Sequence, residues 1–145
     1  MNSVLMSSYL ITILLAWLVA HIVKYIISTI KNEKQTIRSY LFVSGGMPSA
    51  HSTAVVAMAT IIGLKDGVGS GLFGLAVLFA VIVMYDAMKV RRASGEQGMA
   101  IHKLIKDLNT KIKLPKVAKG HSPLEVAMGA LLGATIGFVV FLSTL

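Results

Sequence analysis

Two histidines stand directly behind glycine-containing strings, His51 in GGMPSAHS and His121 in GHSPLEV. In the first string, Gly45 and Gly46 permit backbone conformations closed to other residues and let the chain approach a ligand closely. Pro48 suits a first helical turn, and Ser49 can cap the helix that follows through its hydroxyl. Free backbone N–H groups at such a helix start form an anion site. In the second string, His121 and Glu125 lie four residues apart, so their side chains meet on one helical face. A carboxylate bonded to one ring nitrogen fixes the tautomer and leaves the other nitrogen as a nucleophile or base. Pro123 favours a helix start here too. The first string would equally serve as a plain helix start with a capping serine, and the second as a surface His–Glu pair at a helix start.

A third string, YDAMKVRRASG, supplies Arg91 and Arg92, whose planar forks match phosphate oxygens in two-point contacts. The same arginines would also anchor a helix at lipid headgroups. Asp86, five residues before Arg91, is placed to pair with it. Lys24 is a further cation, with snorkelling to the interface as its other reading. His21 is ambiguous, His102 reads as a surface residue, and the eight methionines read as packing.

The elements that must position these groups follow from composition. More than half of the residues are apolar, mean hydropathy is +0.77, and only 14% are charged, against roughly 25% in a globular protein. The surplus apolar surface has to face lipid. The expected class is all-α: a polytopic membrane helical bundle of about four transmembrane helices in a single domain, 1–145. The spans fall at about 4–30, 51–64, 69–90 and 124–145. A polar stretch, 91–119, separates the last two, and its EQGMAIHKLIKDL portion reads as an amphipathic helix. The second span is short, at ~21 Å, and must thin the bilayer or be shielded by its neighbours. The first apolar run lacks a basic leader and a cleavage site, which favours a retained helix over a signal peptide.

Thirteen of the fourteen Lys and Arg residues lie between spans one and two or between spans three and four, counting span ends. The positive-inside rule then puts both basic regions in the cytoplasm and both termini outside. The net charge of +8 belongs to these loops and does not indicate nucleic acid. With no cysteine there is neither a disulfide framework nor a thiolate metal site. His21, Lys24, His51, Asp86, His121 and Glu125 all fall toward the cytoplasmic face. Ionisable groups deep in a bilayer cost roughly 2.5–3.5 kcal/mol on insertion scales, so they line cavities or pair with one another. An offset of 70 aligns His51 with His121, Ser52 with Ser122 and Val56-Ala57-Met58 with Val126-Ala127-Met128. Gly129, Gly133 and Gly137, spaced by four, offer close helix contact and motivate a homodimer or higher oligomer.

PSAH followed by Ser, with a later His and a carboxylate four residues on, resembles the type 2 phosphatidic acid phosphatase superfamily, which includes vanadium haloperoxidases. GGMPS-x-HS, YDA-x-x-VRRA-x-G-x-Q and GH-x-P-x-EV resemble its divergent branch of small bacterial and plant membrane proteins. The resemblance implies that His51 protonates the leaving alkoxide, that His121 attacks phosphorus, and that Glu125, in place of the usual Asp, orients His121. Ser49, Gly46 and nearby amides would hold phosphate oxygens, with Lys24, Arg38, Arg91 and Arg92 as cationic ligands and Asp86 in support. Three departures stand out. Pro115 occupies the position of the third motif's arginine, Ala50 replaces the second motif's glycine, and Ser39 follows Arg38 where the first motif has proline.

The expected function is hydrolysis of a lipid or prenyl phosphate monoester or diphosphate at the cytoplasmic leaflet, through a phosphohistidine. The alternative is a non-catalytic lipid-phosphate binding or transport protein that keeps the anion site. No cofactor is required, because positioned positive charge suffices. Asp86 and Glu125 could nonetheless bind Mg²⁺.

Overall fold

The computed structural model describes residues 2–31, 46–110, 112–114, 117 and 120–145. Arg38 and Gly45, both expected near the site, lie outside the described residues. The described chain is all-helical, a membrane helical bundle. Its elements are α1 (Asn2–Ile30), α2 (Ala50–Lys65), α3 (Gly71–Tyr85), a π-helical turn (Asp86–Val90), α4 (Arg91–Asp107) and α5 (Pro123–Ser143). Among the described residues, three helical stretches are long and apolar enough to cross a membrane: Ser8–Ile30, Gly71–Asp107 and Pro123–Ser143.

The short helix α2 is the centre of the bundle, packed against α1, α3 and α5. At ~24 Å it is the shortest of the four apolar helices by rise per residue except α3, which gains length by running on into the π-turn. Its interior face carries Ser52, Thr53, Ala57, Ala59, Ile61 and Ile62, all buried. Two stripes of small residues let the neighbours approach it. On α1 they are Ser8, Thr12, Ala16 and Ala20, spaced by four and buried. On α5 they are Gly129, Gly133 and Gly137. A Cβ on Gly129 would fall 2.6 Å from Ser49 O, one on Gly133 would collide with Thr53 O, and one on Gly137 would fall 2.6 Å from Ala57 O. These successive contacts run the same way along both helices, so α2 and α5 are parallel.

That finding corrects the reading of the glycine stripe as an oligomer contact. Within the chain it forms the α2–α5 seam, where backbone-to-backbone approach needs residues without Cβ. The amphipathic helix expected in the polar stretch after Val90 is present as α4, and it follows α3 without a break. The helix runs on from Gly71 to Asp107, because no proline or early glycine interrupts Tyr85–Arg92 and the π-turn absorbs the change of register.

The two ends of the bundle differ. At one end, Tyr9 donates to Asp66 Oδ2 at 2.6 Å and Lys65 Nζ reaches Thr144 O at 3.5 Å, tying α1, α2 and α5 together. The starts of α2 and α5, the π-turn and Lys24 gather at the other.

Candidate functional site

The start of α2 is built from Ser49, its N-cap. Ser49 Oγ accepts from Ser52 N–H at 3.3 Å and from Ser52 Oγ–H at 2.9 Å. Pro48 lies before the cap, not within the first helical turn as the sequence suggested, because the cap itself is the first half-helical residue. Ser49 is fully buried, and its N–H donates to Glu125 O at 3.1 Å, joining the two helix starts directly. Gly129, one turn beyond Glu125, leaves the room that this contact requires. His51 follows in the first turn of α2 and is exposed.

The start of α5 is a capping box. Ser122 Oγ accepts from Glu125 N–H at 3.3 Å, and Glu125 Oε2 accepts from Ser122 N–H at 3.1 Å. The same Oε2 lies 3.0 Å from His121 Nδ1. One carboxylate therefore caps the helix and grips the imidazole. With Glu125 ionised, the proton sits on Nδ1 and the lone pair on Nε2. His121 is only 3% exposed. Burial holds its pKa below the usual histidine value, and the charges of Lys24 and Arg91 act in the same direction, while the bond to Glu125 opposes them. A neutral imidazole, the nucleophilic form, is the result.

Around this pair the sequence-named groups converge. His51 is within electrostatic reach of Arg91, His121, Asp86 and His21. Lys24 bears on both His121 and Glu125. Its stem runs beneath Gly46, where a Cβ would meet Lys24 Cε at 3.1 Å, and the φ of +84° at Gly46 is one that favours glycine. His21 Nδ1 lies 2.8 Å from Trp17 O and its ring sits 4.1 Å from the Trp17 ring.

Arg91 pairs with Asp86 at 2.6 Å. In an α-helix, positions five apart lie about 140° apart around the axis. The i→i+5 bonding of the π-turn brings them nearly above one another, which the sequence spacing alone did not show. Arg92 takes another direction, exposed and paired with Glu96 at 3.2 Å. Among the described residues no three metal-ligating side chains converge.

A cleft of roughly 620 Å³ opens between α4 and the loop before α5. Arg92, Glu96, Met99 and His102 line one wall, and Val117, His121 and Glu125 contribute to the other. His102, half-buried at the surface, is one of the wall residues of this open cleft. The 3–4 spacing of Arg92, Glu96, Met99 and His102 carries that face in the sequence, but the apolar residues of α4 drew attention to the opposite one.

The described chain is thus a helical membrane bundle with two histidines at adjoining helix starts, one of them gripped by a carboxylate. Residues 5–136 match the family described as "Divergent PAP2 family", and the chain belongs to it. It is also similar to "Uncharacterized membrane protein YuiD" of Bacillus subtilis (strain 168), 38% identical over 146 residues that cover 90% of this chain and 92% of that protein. No solved structure matches.

Proposed function

We propose that this chain is a membrane phosphatase that hydrolyses an amphiphilic phosphate ester, a lipid or prenyl phosphate monoester or diphosphate, at the cytoplasmic leaflet. The observation that carries this reading is the 3.0 Å bond between Glu125 and His121 Nδ1, which fixes the tautomer whose Nε2 can attack phosphorus. Nε2 forms the N–P bond as the P–O bond to the leaving alkoxide breaks, and protonated His51 supplies the alkoxide with its proton. Water then attacks the phosphohistidine with His51 as base, releasing inorganic phosphate. Lys24, Arg91 and the amides around Gly46 hold the phosphate oxygens in this scheme. Lys24 and Arg91 supply the positive charge, so a metal is not required. The distribution of basic residues supports an orientation with this end of the bundle in the cytoplasm and both termini outside.

Detergent-solubilised protein assayed against a panel of lipid and prenyl phosphates tests the reading. Release of inorganic phosphate that is lost in His121→Ala supports it, and activity unchanged in both His51→Ala and His121→Ala defeats it.

A second reading, lipid-phosphate binding or transport without hydrolysis, is favoured by Pro115 in place of the third motif's arginine and by the pairing of Arg91 with Asp86. Binding without turnover by the same panel would select it. A homo-oligomer also belongs to the proposal, but the α5 glycines no longer argue for it. Light scattering in mild detergent decides that point.

A further inference from the structure

Two successive residues, Gly120 and His121, are fixed to the backbone of the π-turn and the helix behind it. Arg91 N–H, which in an α-helix would return to Ala87 O, bonds to Asp86 O instead. The carbonyl of Ala87 accepts from His121 N–H at 2.9 Å. One residue earlier, a Cβ on Gly120 would lie 2.5 Å from Arg92 N, 2.6 Å from Arg92 Cα and 2.7 Å from Arg92 Cβ. Backbone atoms inside a helix cannot step aside as a side chain tip can. The loop therefore reaches the helix only because residue 120 has no side chain.

We infer that the π-turn Asp86–Val90 is the positioning element for His121, with the Ala87 carbonyl as its anchor and Gly120 as the positioning residue that allows contact. The one-residue change of register does two jobs. It releases a carbonyl to hold the histidine backbone, and it turns Arg91 onto the face of Asp86, beside the same histidine. Isolated π-turns inside α-helices recur at functional sites because they aim groups that a regular ladder would keep apart. The Ala87 anchor and the Glu125 bond then grip His121 at backbone and side chain from different helices. The catalytic part of this inference rests on the phosphatase reading, whereas the anchor does not.

The test combines amide hydrogen exchange with kinetics on the full chain in detergent. In the unmodified protein the His121 amide should exchange as slowly as the interior of α5, and fast exchange there overturns the anchor even if no variant folds. Gly120→Ala should lose that protection while helix content and melting midpoint hold. It should also lower kcat about 100-fold, the scale of a 1 Å misplacement, with KM unchanged. Gly98→Ala is the control, since its Cβ would press only Val117 Cγ2 at 3.0 Å on the same loop. It should keep both protection and kcat. Lost protection with unchanged kcat in Gly120→Ala overturns the positioning role, as does an equal loss in Gly98→Ala. If the unmodified protein releases no phosphate from any substrate, the phosphatase reading fails and the exchange arm still decides the anchor.

Discussion

Helices α2 and α5 both begin at a serine cap, run in the same direction and carry a histidine beside the cap, yet the two histidines end in different surroundings. His51 follows its cap by two residues and is exposed. His121 precedes its cap by one residue and is 3% exposed, held by the glutamate that completes the capping box. The caps themselves are reversed in burial, with Ser49 fully buried and Ser122 exposed. Placement relative to the cap, more than residue type, separates an imidazole open to solvent from one held in place, the two that the proposed scheme uses as proton donor and nucleophile. The offset of 70 that aligns the histidines in sequence does not align the helix starts, whose capping serines are 73 apart.

The largest test of this asymmetry uses the histidines themselves. His121→Ala should lower turnover by about 10⁴-fold or more on every substrate. His51→Ala should cost about 10²–10⁴-fold on an alkyl ester and far less on a 4-nitrophenyl ester, whose leaving group needs no proton. Equal losses on both esters would erase the distinction drawn between the two helix starts.

Glu125→Gln sharpens it. Loss of the charge that holds the Nδ1 proton should lower kcat by about 10²–10⁴-fold. The unmodified protein, if the phosphatase reading holds, should keep activity on the acid side down to a pKa below the ordinary histidine value of about 6.5, because burial favours neutral His121. Glu125 raises that pKa, so the acid limb of kcat/KM should move to still lower pH in the glutamine variant. A limb that moves upward contradicts the assigned electrostatics.

The seam between the two helices comes next. Gly133→Val should destabilise the protein by about 3 kcal/mol, read as a lowered thermal midpoint in detergent, because its side chain meets Thr53 O. The caps give the smallest effect. Ser49→Ala leaves Ser52 N–H and hydroxyl without their buried partner and should cost about 1–3 kcal/mol, against about 1 kcal/mol for Ser122→Ala. Equal costs would show that burial does not separate the two caps.

Much of this was legible in the sequence. The apolar spans, the Ser49 cap and the His121–Glu125 pair follow from hydropathy, cap chemistry and a spacing of four, whereas the Ser122 cap emerges only with the structure. What escaped depended on contacts between distant segments. The partner of the Gly129, Gly133 and Gly137 stripe could not be read from α5 alone, since such a stripe serves a second copy as well as a neighbouring helix. The π-turn has no residue signature in DAMKV, and the spacing of Asp86 and Arg91 hinted only at a pair. Gly120 and Ala87 are chemically silent, and their roles exist only once the loop lies on the helix.

The ties at the end remote from the histidines, Tyr9 to Asp66 and Lys65 to Thr144, have a consequence for traffic. Between them and the histidines the middle of the molecule is filled by Ala16, Ala57, Ile61 and Gly133. These residues close the described part of the bundle one or two turns past the start of α2. Passage of a bound molecule from one face to the other would therefore require α2 to part from α1 and α5 along this packed seam.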